Sequence, residues 1–89
     1  MRPEEVICQV SYLCSKYHAE KIILFGSRAK GTALKKSDID IAVSGVKNFD
    51  QLQVEIENIP TLYSIDLVNL DECRNELLKE DIIKYGRKI

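Results

Sequence analysis

Ser37-Asp38-Ile39-Asp40-Ile41-Ala42-Val43 is the stretch whose reading decides the fold. From Asp38 it alternates polar and apolar residues with a period of two, the pattern of a half-buried strand. Ile39, Ile41 and Val43 fall on one face, and Asp38 and Asp40 on the other, about 6.6–6.8 Å apart along the chain. Gly45 ends the strand. Upstream, Ile22 to Phe25 predicts a short buried strand, broken at Gly26. Ser27 to Leu34 then predicts a short helix or a turn leading into one, interrupted at Gly31.

Before that, Val6, Val10, Leu13 and Tyr17 recur at helical spacing, so a helix is expected over about 3–18. Pro3, Glu4 and Glu5 suit its first turn, and Lys16 and His18 its last. Downstream, Asn48 or Asp50 can cap a helix that turns Leu52, Ile56 and Ile59 inward and stops at Pro60. Leu62 to Leu70 predicts a third strand. Asp71 is the expected cap of a last helix with Cys73, Leu77, Leu78, Ile82 and Tyr85 as its apolar stripe, and Gly86 is its expected C′ residue. The order α-β-α-β-α-β-α predicts an α/β fold: a small mixed sheet of about three strands flanked by about four helices.

Composition narrows the functional classes. At 89 residues the chain is expected to form one domain over 1–89, since two would leave each half near the ~40-residue limit for unaided folding. Hydrophobic residues make up 45% and charged residues 30%, an ordinary globular balance rather than a disordered one. Net charge is −1, which argues against an electrostatic polyanion binder, so no direct nucleic-acid partner is expected. The longest apolar run, Ile22 to Phe25, is far short of the ~20 residues that cross a bilayer, and the acidic N-terminus lacks an apolar signal region. Three cysteines without a CxxC pair point to reduced, mostly buried thiols and a cytoplasmic location. The single histidine has no second ligand at zinc-site spacing.

Chemistry concentrates in two places. Gly26-Ser27 follows a strand and opens a predicted helix, and ten residues later comes Asp38-Ile39-Asp40. Two carboxylates on one strand face repel unless a cation sits between them or the face is wet. Hard oxygen donors without imidazole or thiolate suit Mg²⁺. Asp66 is the candidate third carboxylate, an acid in an otherwise apolar strand where it is costly without a partner. Glycine at 26 lets backbone approach a phosphate, and a following helix N-terminus offers free N–H groups. Ser27 can donate to phosphate, with Arg28 and Lys30 adding charge. Gly26 and Gly31 have the spacing of a Walker A loop, but Thr32 and Ala33 stand where that loop needs Lys and Ser or Thr, which argues against a P-loop.

The string Gly26-Ser27-Arg28-Ala29-Lys30-Gly31 followed by Ser37-Asp38-Ile39-Asp40-Ile41-Ala42-Val43 resembles the signature of the polymerase-β-type nucleotidyltransferase superfamily. It is similar to that superfamily's smallest branch, the minimal nucleotidyltransferases found as antitoxins beside HEPN-domain toxins. The resemblance spans nearly the whole chain. It implies a palm-like mixed sheet, with Asp38, Asp40 and Asp66 as Mg²⁺ ligands and Asp66 as base. It implies that Gly26, Ser27 and Arg28 hold ATP, with AMP passing to a hydroxyl and pyrophosphate leaving. For this branch the implied acceptor is a tyrosine of a HEPN ribonuclease. Branch members often carry arginine where this chain has Lys30, which keeps the charge but lacks the bidentate fork. Two other readings stand beside this one. One is an antitoxin that acts by occluding its partner. The other is an antibiotic-type enzyme acting on a small molecule, which would need a partner subunit to complete its site. An open cleft in so small a core makes a homo- or hetero-oligomer the expected state.

Overall fold

A computed structural model describes residues 2–26 and 38–89. Among them three helices and four strands form: α1 (Pro3–Lys16), β1 (Lys21–Phe25), β2 (Ile39–Ser44), α2 (Phe49–Glu57), β3 (Ile65–Asn69), α3 (Glu76–Tyr85) and β4 (Arg87–Lys88). The α/β class is as expected, with one strand more than the sequence reading gave. The helix expected over Ser27–Leu34 lies outside the described residues.

The sheet has the order β3-β2-β1-β4. β1 runs antiparallel to β2 and to β4, while β2 and β3 are parallel, so the sheet is mixed. Strand alternation sorts the apolar residues into two layers. Ile22, Leu24, Ile39, Ile41 and Val43 pack on Val6, Val10 and Cys14 of α1 and on Leu52 and Ile56 of α2. Ile23, Phe25 and Ala42 face the other way and pack on Ile82 of α3. β2 is buried on both faces at Ile41, Ala42 and Val43, which explains why its apolar residues run together there.

α1 ends at Lys16, and His18, expected in its last turn, lies beyond it with φ of 65°. The His18 N–H donates to the Ser15 carbonyl at 3.0 Å, and the Ala19 N–H to the Cys14 carbonyl at 3.1 Å. These two bonds form a Schellman closure, with histidine in the left-handed position usually given to glycine. At the surface, Lys16 Nζ lies 3.4 Å from Glu55 Oε1 and links α1 to α2.

α2 is capped by Asn48, whose side chain accepts from the Gln51 N–H at 3.3 Å. β3 starts at Ile65 rather than Leu62, because Thr61 Oγ1 accepts from the Tyr63 N–H and holds the chain in a turn. The expected Asp71 cap is corrected as well. Asp71 Oδ2 accepts from the Gly45 N–H at 2.8 Å, so that carboxylate braces the loop after β2. The last helix is capped instead by Asn75, which accepts from the Leu78 N–H at 3.1 Å, leaving Cys73 outside it and Leu77 exposed.

Gly86 is extended (φ −69°, ψ 153°) rather than left-handed. Its N–H bonds the Ile82 carbonyl at 2.8 Å, and a Cβ there would strike that carbonyl and the Ile23 side chain. Glycine is needed here for close approach, which brings the basic tail alongside β1 as β4. All three cysteines are free, with only Cys14 buried, and burial pushes its thiol up to about 11. No helix among the described residues is long and apolar enough to cross a membrane.

Candidate active site

The site stands at one end of the sheet, on the face shared with α3. In the β2–β3 register Asp40 lies beside Asp66, and Ala42 beside Val68. In the β1–β2 register Phe25 lies beside Asp40. Ala42 and Val68 pack against the layer under α3. Two residues earlier on each strand the same face carries the two carboxyls.

The pairing makes Asp40 and Asp66 direct neighbours across parallel strands, close enough to share a hydrogen bond. Asp40 is half-buried, and its carboxyl is pushed up to about 6. Burial contributes most, then the hydrogen bond with Asp66, the charge of Asp66 and the charge of Asp38. Asp38 is exposed, just ahead of β2. A half-buried carboxyl set against a second one is a ready place for a cation.

Gly26 follows β1 directly and adopts φ of +78°. A Cβ at this position would run into the Asp40 carboxylate. Glycine is therefore required twice over, for its backbone conformation and for the space Asp40 occupies. The sequence suggested Gly26 only for phosphate approach. Its clearance of Asp40 was not legible, because it depends on the antiparallel register that sets Phe25 against Asp40. Ser27 and Arg28, the other expected nucleotide contacts, lie outside the described residues, as does Lys30.

Among the described residues no three acidic, thiol or imidazole side chains converge as a self-sufficient metal cage. The donor set still fits Mg²⁺. That ion is commonly held by one or two carboxylates, with water and substrate phosphates filling its octahedron.

Comparison with known proteins gives the family. The family model described as "Polymerase beta, Nucleotidyltransferase" matches residues 9–89. The chain is 38% identical over 86 residues to a Methanocaldococcus jannaschii protein described as a candidate protein adenylyltransferase, spanning 93% of this chain and 69% of that one. Its fold is similar to that of a toxin–antitoxin crystallised with AMP-PNP, with a TM-score of 0.67 and 23% identity over 92% of this chain and 70% of that one. It is also similar to a candidate nucleotidyltransferase from Sulfolobus solfataricus, with a TM-score of 0.52 and 26% identity over 96% of this chain and 73% of that one. The chain belongs to the polymerase-β-type nucleotidyltransferase family, and its activity class is nucleotidyl transfer.

Proposed function

We propose that this chain transfers AMP from ATP to a hydroxyl on a partner protein, and that the modification neutralises a toxin. The observation that carries this reading is the Asp40–Asp66 pair beside Asp38 at one end of the sheet, with Gly26 clearing the space. Asp38, Asp40 and Asp66 would hold Mg²⁺. Bound there, the ion supplies charge neutralisation for the triphosphate and for the developing pyrophosphate.

The protein's own share is placement and proton handling. The backbone at Gly26 lets the triphosphate approach β1, and Ser27 and Arg28 are the expected further contacts. Asp66 takes the proton of the acceptor hydroxyl, whose oxygen bonds to the α-phosphorus as the bond to the β-phosphate bridge breaks. Pyrophosphate leaves. The acceptor in this proposal is a tyrosine of a HEPN-type ribonuclease. Support comes from the adenylyltransferase description of the M. jannaschii relative and from the toxin–antitoxin fold neighbour with its AMP-PNP.

The test uses the product of the neighbouring reading frame where that encodes a small helical protein. It is incubated with this chain, ATP and Mg²⁺, and both intact masses are read. A gain of AMP on the partner, lost with the Asp38→Asn/Asp40→Asn double variant, is the expected result. A stable complex that blocks the partner with no mass change would overturn it and leave an antitoxin acting by occlusion.

A further inference from the structure

β3 is the outer strand of the sheet on the side of Asp66, and no strand among the described residues pairs with its far edge. The printed backbone bonds show which groups face outward. The Ile39 N–H donates to the Ser64 carbonyl at 2.9 Å, and the Leu70 N–H donates to the Val43 carbonyl at 2.8 Å. Ser64 and Leu70 thus turn backbone groups toward β2. Direction alternates along a strand, so Asp66 and Val68 also bond toward β2 while Ile65, Leu67 and Asn69 present theirs to the edge. The open stretch has defined ends. The Tyr63 N–H is held by Thr61 Oγ1, and the Asn69 carbonyl is taken by the Glu72 N–H.

A pocket of about 290 Å³ adjoins this edge on the α2 face. Ile56, Ile59 and Ile65 line it together with Glu57, Thr61, Tyr63 and Ser64. One strand thus carries a carboxylate on one face, a pocket of mixed polar and apolar lining beside the other, and between them backbone that no strand among the described residues pairs.

We propose that β3 is the acceptor-docking edge: an extended segment of the partner protein pairs with Ile65–Asn69, setting its hydroxyl residue opposite Asp66 and a neighbouring side chain against the pocket. This rests on the protein-modification reading above. The spacing is right for it. Side chains directly opposite on adjacent strands have Cβ atoms about 4.5–5.5 Å apart, so a hydroxyl there reaches the Asp66 carboxylate. Adjacent residues of an extended segment point to opposite faces, so the one beside the acceptor faces the pocket. Strand addition of this kind draws affinity from backbone bonds and selectivity from alternate side-chain pockets.

The experiment uses a pool of short peptides with a central tyrosine, serine or threonine and randomised flanks. The peptides are added to the ¹⁵N-labelled chain with Mg²⁺ and a non-hydrolysable ATP analogue, and amide shifts are read. A parallel reaction with ATP is read by mass. The proposal expects shifts at the Ile65, Leu67 and Asn69 amides, and binding about tenfold weaker when the flanking peptide amides are N-methylated. Edge shifts without AMP transfer uphold the docking edge and sink the transfer activity. AMP transfer with the three amides unmoved overturns the docking edge and leaves the activity standing. Edge shifts that track protein concentration without peptide overturn it in favour of self-pairing. Neither shifts nor transfer overturns both.

Discussion

Asp40 sits where burial, Asp66 and Asp38 all push its carboxyl upward, from 3.8 to about 6. The folded-state value exceeds the unfolded one, so across that interval the folded chain keeps a proton the unfolded chain has released. Stability without metal therefore falls as pH rises from about 4 to about 6 and stays at the lower level above that. Thermal melts across this range should show the decline, and Asp40→Asn should flatten it. At neutral pH that variant should be more stable by about 1–2 kcal/mol, allowing for solvent screening at a half-buried group, while transfer drops at least ~100-fold. A destabilised Asp40→Asn protein would contradict the assigned conflict between the two carboxyls. Gly26→Ala tests the neighbouring constraint. Its left-handed φ and the encounter with Asp40 should cost about 1–3 kcal/mol in chemical denaturation, and transfer should fall even where the variant is fully folded. Full activity in Gly26→Ala would show that Asp40 does not need the space.

At the scale of elements, the amphipathic patterns were legible in the sequence and the polar caps were not. Alternation at Ile39, Ile41 and Val43, and helical spacing at Val6 and Val10, reflect burial against a single layer, which a sequence records directly. Asp71 and Asn75 are both good capping residues, and the choice between them is made by a third group, the Gly45 N–H, 26 positions away in sequence. Asn75→Ala should consequently cost about 1 kcal/mol in unfolding free energy. Asp71→Ala should leave α3 intact and loosen the loop after β2, seen as faster amide exchange at Gly45. Equal loss of α3 helicity in both variants would contradict the assignment. β4 was hidden for a related reason. Two exposed basic residues carry no strand pattern, and their pairing with β1 follows from the tight seat of Gly86 under Ile82.

Across the whole molecule the two faces of the sheet are covered unequally. Among the described residues, α1 and α2 bury one face, while α3 covers part of the other, whose end carries Asp40 and Asp66. Ile82 is the fully buried residue by which α3 holds on, so Ile82→Ala should cost about 2–5 kcal/mol in denaturant unfolding. A cost below 1 kcal/mol would mean that α3 is held by something other than this contact. The three carboxylates were individually legible in the sequence. Their convergence was expected only through the resemblance; the register that makes Asp40 and Asp66 direct neighbours was not legible, because it depends on parallel pairing of β2 with β3 across an intervening helix.

The most direct test of the central claim is calorimetric titration of the chain with a non-hydrolysable ATP analogue, with and without Mg²⁺, for the native sequence and for Asp38→Asn, Asp40→Asn and Asp66→Asn. The account predicts Mg²⁺-dependent binding to the native chain, weakened at least ~10-fold in each variant. Binding that ignores Mg²⁺, or that survives all three substitutions unchanged, would contradict it.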